Sequence, residues 1–266
     1  MKWACPVLLL GVLLAPCALL SHAADDVPHP ERLRGVDPAD LAYTYGVGGF
    51  LPEYDPPPPG SYTLPVVDTV GDHPLVDAEG RPTTLFALKE DRLAVVAFVY
   101  TTCIEATGCP LSLAVLQRLD REIARDPLLA RAVTLLAISF DPERDTPARM
   151  RAMRAFHAPR TDWRFVTTAG LAELEPLLRD FNQPVAKLRF PDGQWSGLFR
   201  HVLKVFLLDR ANRVRNVYST GFLNARLIVN DVQTVLERQH VADRSGEGTD
   251  DLVLRDPRKG HPAPAP

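Results

Sequence analysis

Two long, uninterrupted apolar runs place the strongest constraint on how this chain folds. Residues 93–100 (LAVVAFVY) and 132–140 (AVTLLAISF) carry no charge and are rich in branched side chains. Runs of this length and composition are typical of strands buried on both faces. Between them, residues 111–125 repeat apolar side chains at helical spacing. A strand, a helix and a second strand in this order predict a parallel pair joined by a right-handed crossover.

The elements after this unit complete one predicted α/β domain. The remaining patterns predict three helices and three strands: helices at 146–157, 169–181 and about 223–239, a short strand at 163–166, and a hairpin of strands at 202–208 and 214–218. Residues 61–88 add an N-terminal hairpin. This order predicts a thioredoxin-like fold, in which a central mixed β-sheet is flanked by helices.

The two ends of the 266-residue chain differ in composition from this domain. Residues 1–23 contain one lysine, a long apolar run and small residues near Ala23, which is the order of a signal peptide. We therefore expect an exported protein of the periplasm or cell envelope, or a membrane-associated one if this segment is an uncut anchor. Residues 24–60 form a proline-rich arm, residues 61–240 the domain, and residues 241–266 a disordered tail.

Charge and cysteine content narrow the classes of function. The chain has 30 basic and 33 acidic residues, so it has no positive field for nucleic acid, and we expect no nucleic-acid partner. Two of its four cysteines lie in the predicted signal peptide. The other two, Cys103 and Cys109, form one potential disulfide or one potential site in a compartment that permits disulfides.

The position of these two cysteines favours a site. Both follow the first predicted strand, and function in open α/β sheets collects at the carboxyl ends of parallel strands. Cys109 precedes Pro110, which can open a helix. A helix N-terminus lowers the pKa of a thiol, and the thiolate both attacks disulfides and binds soft metals. A structural disulfide remains the alternative, although it would close a loop of only five intervening residues.

Three features carry a resemblance to a known family: Thr102-Cys103 and Cys109-Pro110 at the strand–helix junction, ISFDPERDTP at 138–147, and a lone His201 opening the strand at 202–208. Together they resemble the Sco/SenC family over residues 61–240. That resemblance implies a thioredoxin-like copper protein that acts in assembly of the cytochrome oxidase copper centre. It also implies a cuproprotein or oxidase subunit as the partner that receives copper or electrons.

The resemblance implies a site for a single copper ion, Cu(I) or Cu(II), bound by Cys103, Cys109 and His201. Two thiolates suit Cu(I), and an added imidazole gives a donor set that can also hold Cu(II). His73, in a predicted turn, is the alternative histidine. Within the string at 138–147, we interpret Asp145 or Thr146 as a helix cap.

Two departures from the family pattern leave other functions open. Five residues separate the cysteines where the family usually has three, and Arg200 stands before the histidine where the family usually has Asp. A cation beside a copper site is unfavourable unless it points away. The first alternative is an envelope thiol–disulfide oxidoreductase whose redox pair is Cys103 and Cys109, without a stable metal. The second is a binding module in which these cysteines form a structural disulfide.

Overall fold

The computed structural model describes residues 55–105 and 108–245. The predicted signal peptide, most of the predicted arm and the tail beyond residue 245 lie outside the described residues. Among the helices that are described, none combines the length and the apolar character required to cross a bilayer.

Ten strands and six α-helices occur in the described part of the chain. The strands are β1 (Asp68–Thr69), β2 (Pro74–Val76), β3 (Pro82–Thr84), β4 (Leu93–Val99), β5 (Val133–Ser139), β6 (Trp163–Val166), β7 (Val185–Arg189), β8 (Trp195–His201), β9 (Lys204–Leu208) and β10 (Arg213–Ser219). The helices are α1 (Leu85–Lys89), α2 (Cys109–Ile123), α3 (Pro127–Ala132), α4 (Pro147–His157), α5 (Leu171–Asp180) and α6 (Ala225–Ser245), with a 3₁₀ turn at Thr220–Phe222.

A six-stranded mixed sheet forms the centre of the fold. Its strand order is β1-β10-β9-β4-β5-β6. Strands β4, β5 and β6 run parallel, whereas β9 pairs antiparallel with β4 and β10 antiparallel with β9. Strands β2 and β3 form the N-terminal hairpin. The predicted thioredoxin-like fold, with its mixed sheet and flanking helices, is therefore confirmed.

The two apolar runs occupy the middle of this sheet. Every residue of β4 and of β5 is buried, as strands covered on both faces must be. Helix α2 packs its apolar side, including Leu116 and Leu119, into the same core. The carboxyl ends of β4 and β5 consequently lie side by side, with Val99 opposite Ser139.

The end of the predicted arm packs on the last helix. Asn230 of α6 donates a side-chain hydrogen bond to the Pro57 carbonyl at 2.9 Å, and the Gly60 amide donates to Thr234 Oγ1 at 3.0 Å. Helix α6 itself extends to Ser245, beyond the residue 240 at which we expected the domain to end.

The predicted strand at 202–208 was wrong at its start. His201 does not open that strand; it is the last residue of β8, and β9 begins only at Lys204. Strand β8 pairs with β7 in a separate two-stranded sheet that the sequence patterns did not predict. Its strands are mostly half-exposed or exposed and contain charged residues, so they lack the apolar run that marks a buried strand.

Helix boundaries also differ from expectation. The predicted helix at 111–125 begins at Cys109, and a further short helix, α3, follows after Asp126, whose carboxylate accepts from the Leu128 and Leu129 amides. Thr146 is the N-cap residue of α4, but its side chain makes no capping hydrogen bond. Thr146, one of the two residues expected to cap this helix, is therefore the cap by position, and the Asp145 carboxylate is engaged elsewhere.

Candidate metal centre

The loop that carries Cys103 is held at the end of β4 by a buried carboxylate. Asp145 is fully buried and accepts from the Thr101 amide at 2.9 Å, from the Thr101 hydroxyl, and from Ser139 Oγ at 2.6 Å. The Cys103 amide then donates to the Tyr100 carbonyl at 3.3 Å, which closes a tight turn. Asp145 thus ties the end of β4 to the end of β5, directly before the first cysteine.

Cys109 is placed by the first turn of α2. Gly108 is the N-cap residue, and Pro110 stands in the first turn, where its missing N–H costs no helical hydrogen bond. A Cβ on Gly108 would lie 3.2 Å from the Glu105 carbonyl oxygen and 3.4 Å from Cys103 Sγ. The absence of a side chain at this position therefore lets the Gly108 backbone lie close to Glu105 and to the first sulfur.

His201 reaches the same place from the β7–β8 hairpin. Its ring lies against Tyr100 and Phe140, with ring centroids 5.8 and 5.2 Å away. Its Nε2 is 4.0 Å from Cys109 Sγ. One ligand atom from each of Cys103, Cys109 and His201 lies within 4.8 Å of the other two. The structure therefore brings together all three residues that the resemblance implied.

Exposure differs among the three side chains. Cys109 is buried, with 2% of its surface exposed, whereas Cys103 and His201 are half-buried. One sulfur is thus sealed inside the domain, while the other sulfur and the imidazole border the surface. An ion held here would be reachable from one side.

Arg200 does not intrude on this cluster. Successive side chains of a strand point to opposite faces, and Arg200 is exposed while its neighbours Phe199 and His201 face the domain. The unfavourable placement of a cation beside the site is therefore avoided. The alternative histidine, His73, is elsewhere engaged: its Nε2 lies 2.8 Å from Asp180 Oδ2. Within the described ranges, the cluster of Cys103, Cys109 and His201 is the one group of His, Cys, Asp or Glu with metal-ligand spacing.

The two thiols have opposite electrostatic environments. A hydrogen bond from the Cys109 thiol, together with one from His201, lowers the pKa of Cys103 to about 3 against the opposing effect of burial. The pKa of Cys109 is raised, because it donates that hydrogen bond to Cys103 and because it is buried. Burial and the adjacent Cys103 charge raise the pKa of Tyr100 to about 12. We expected the helix N-terminus to lower the pKa of Cys109; the hydrogen bond to Cys103 and burial outweigh the lowering effect of the backbone amides.

Two sulfurs and one imidazole nitrogen make a donor set for a soft or borderline transition metal. Thiolate ligands select Cu(I) or zinc, and imidazole suits copper and zinc alike. With three protein donors in reach of one another, a coordination position can remain open for exchange. The sequence patterns did not identify Asp145 and Arg144 as residues that support the three candidate ligands. Both lie in the charged run at 141–147, which is part of the motif that carries the family resemblance.

The fold and the site together define a thioredoxin-like domain with a Cys/Cys/His candidate metal centre at the carboxyl end of its parallel strands. The sequence matches the SCO1/SenC family over residues 63–237. The chain belongs to this family.

Solved structures of similar fold include three Sco proteins. Bradyrhizobium japonicum ScoI with copper bound is 24% identical, with a TM-score of 0.50 over 61% of this chain and 97% of that one. A SCO1/SenC family lipoprotein from Bacillus anthracis is 23% identical, with a TM-score of 0.54 over 65% and 97%. BsSco, a member of the Sco family of cytochrome c oxidase assembly proteins in which a disulfide switch was identified, is 22% identical, with a TM-score of 0.52 over 65% and 96%. A search of curated protein sequences found no match.

Proposed function

We propose that this protein is an exported copper-binding chaperone for assembly of a respiratory oxidase copper centre or another envelope cuproprotein. Cys103, Cys109 and His201 would hold one copper ion as cargo. The observation that carries the proposal is the convergence of two sulfurs and one imidazole nitrogen within 4.8 Å. The copper-bound ScoI of Bradyrhizobium japonicum supports the choice of metal.

The chemistry of the site suits delivery as well as binding. Paired thiolates favour Cu(I), and the imidazole extends the set to Cu(II). Because Cys103 and His201 are half-exposed, two of the three ligands can meet incoming ligands of a partner before Cys109 releases the ion. A partner cuproprotein or oxidase subunit that offers its own thiolates or imidazoles is the class of recipient this arrangement fits.

The proposed location is the periplasm or cell envelope. The composition of residues 1–23 supports export. The lipoprotein from Bacillus anthracis and the oxidase-assembly role stated for BsSco are consistent with work at an envelope surface.

Copper titration of the purified domain tests the proposal. We expect the wild type to bind one copper ion per chain, and Cys103→Ala, Cys109→Ala and His201→Ala each to lose affinity by about tenfold or more, because each removes one of three ligands. Competition with a chromophoric Cu(I) chelator and mass spectrometry measure affinity and stoichiometry. His73→Gln is the matched control, since His73 is paired with Asp180 and should leave copper binding intact. Copper affinity unchanged in any of the three ligand variants would contradict the proposal.

Thiol–disulfide exchange is the second candidate, favoured by the pairing of a half-exposed Cys103 with a buried Cys109. The Cys103 thiolate would attack a disulfide of a client protein, forming a mixed disulfide and releasing one client thiolate. The Cys109 thiol, on losing its proton, would then attack Cys103 Sγ, releasing the second client thiolate. Two electrons pass to the client, and the two cysteines end as one disulfide.

Trapping the mixed disulfide separates this candidate from a structural disulfide. In Cys109→Ser the second step is blocked, so we expect a covalent adduct with a disulfide-bearing model peptide, which Cys103→Ser should not form. A reduction potential below about −300 mV, with no adduct, would mark the pair as a structural disulfide instead. Cys103→Ser would then lower stability and leave partner binding intact.

A further inference from the structure

In the described part of the chain, the hairpin that carries His201 is not paired with any strand of the main sheet. Among the described strands, β7 and β8 pair with each other alone, whereas Cys103 follows β4 and Cys109 begins α2. An isolated two-stranded hairpin is marginally stable in water. Besides the short connection from His201 to β9, side-chain contacts to the body of the domain therefore help to set where His201 lies relative to the two sulfurs.

Arg144 makes a dense set of such contacts. Its guanidinium carbon lies 4.2 Å from the ring centroid of Trp195 and 5.7 Å from that of Phe199. Its Nη2 donates to the Gly197 carbonyl at 2.9 Å. These three residues belong to β8 and lie two to six positions before His201, and Phe199 shares the inward face with the histidine.

Arg144 is itself held in place by an ion pair with Asp141. Its Nε donates to Asp141 Oδ2, and the Asp141 side chain is 2% exposed. The Asp141 amide in turn donates to Ser139 Oγ at 3.0 Å, and the same hydroxyl donates to Asp145. The carboxylate of Asp145 holds the loop before Cys103. One short segment after β5 thus contacts both the cysteine loop and the histidine hairpin.

We infer that Arg144 is a positioning residue for His201: it clamps the β7–β8 hairpin against the segment that also holds the Cys103 loop, and so sets the imidazole against the two sulfurs. The inference rests on the proposed metal site. A guanidinium suits this task because it stacks on an aromatic ring and donates in fixed directions at the same time. Lysine keeps the charge but cannot reproduce both contacts at once.

Lys187 and Glu143 provide a weaker second contact of the same kind. Lys187 Nζ lies 4.5 Å from the Trp195 ring centroid and 2.8 Å from Glu143 Oε2. Because Glu143 is exposed, this ion pair is screened by solvent and contributes less than the Arg144 contacts. The hairpin should therefore respond chiefly to loss of Arg144.

Hydrogen exchange on the metal-free protein is the first test. In Arg144→Gln we expect the amides of β8 to exchange at least severalfold faster than in the wild type, while those of β4 and β5 stay unchanged. Arg144→Lys should show the same change to a smaller degree. Arg154→Gln, which removes a surface arginine paired with Glu79, is the matched control. The inference would be overturned if the β8 amides of Arg144→Gln exchanged at the wild-type rate. It would also be overturned if they exchanged faster in Arg144→Gln but at the wild-type rate in Arg144→Lys.

Copper binding is the second readout. In both Arg144 variants we expect copper affinity to fall by about 10- to 100-fold, as is typical when a residue that orients a ligand is lost. We also expect nitrogen coupling from His201 to weaken in the Cu(II) electron paramagnetic resonance spectrum. Trp195→Leu removes the other half of the contact and should give the same changes, and the double variant should be little worse than either single one.

The two experiments keep the inference separate from the proposed function. If the wild type fails to bind copper, the proposed function fails, while the exchange result still decides whether Arg144 clamps the hairpin. If the wild type binds copper and Arg144→Gln and Trp195→Leu both retain its affinity and spectrum, the inference is wrong and the proposed function stands.

Discussion

At the scale of single residues, the site depends on a carboxylate that is not among its ligands. Asp145 accepts from one backbone amide and two hydroxyl groups, belonging to Thr101 and Ser139, in a place closed to solvent. A buried carboxylate costs a large desolvation free energy unless its oxygens are satisfied, and here both oxygens have donors. These hydrogen bonds fix the path of the chain between β4 and Cys103.

Replacement of Asp145 by asparagine should expose this dependence. In Asp145→Asn one carboxylate oxygen becomes an NH₂ group that faces donors, so at least one hydrogen bond is lost inside the domain. We expect the free energy of unfolding to fall by about 1.5–3 kcal/mol, the range for hydrogen bonds to a charged group. Urea denaturation measures it.

A surface aspartate serves as the control for this substitution. Asp192 accepts from the Gln194 amide in an exposed turn, where asparagine is equally suited. Asp192→Asn should therefore be close to neutral. If Asp145→Asn were as stable as Asp192→Asn, the buried carboxylate would not have the structural role assigned to it.

At the scale of elements, the three candidate ligands come from three different kinds of structure. Cys103 lies in a loop after a central strand, Cys109 in the first turn of a helix, and His201 at the end of a peripheral hairpin. The first two are separated by few residues and share the junction of β4 and α2. The third arrives from almost a hundred residues later, so its position depends on how the hairpin docks.

This division explains which parts of the site could be predicted. The cysteine junction was predictable because β4 is an apolar run and Pro110 marks a helix start. The hairpin was not, because β7 and β8 combine charged, glycine and aromatic residues and are only partly buried. His201 was found through the family resemblance, and its position in β8 followed only from the structure.

At the scale of the whole molecule, several properties of the site depend on burial in the folded domain and could not be predicted from local sequence patterns. The central sheet was predictable from apolar runs, since strands covered on both faces leave that mark in sequence. The pKa order of Cys103 and Cys109 was not, because it depends on which sulfur the folded chain seals from solvent. Likewise, the exposed orientation of Arg200 can be inferred only when β8 is known to be a strand.

Burial also makes the stability of the whole domain depend on pH through His157. This residue ends α4, where the helix dipole would favour its charged form by about 0.3–1 kcal/mol. Its ring instead packs against Phe156, Trp163 and Phe165, and its Nδ1 is buried without a hydrogen-bond partner. Burial lowers the pKa of His157 below its ordinary value of 6.5.

The sign of the effect on stability follows from proton binding. Below about pH 6.5 the unfolded chain takes up a proton at His157 that the folded domain resists, so stability is lost as pH falls through the folded-state pKa. We expect His157→Phe, which keeps an aromatic ring and removes the titration, to lose less stability than the wild type between pH 7.5 and pH 5.5. Urea denaturation at each pH gives the difference in unfolding free energy between the two proteins. If that difference stayed constant across the range, His157 would not be linked to folding through its protonation.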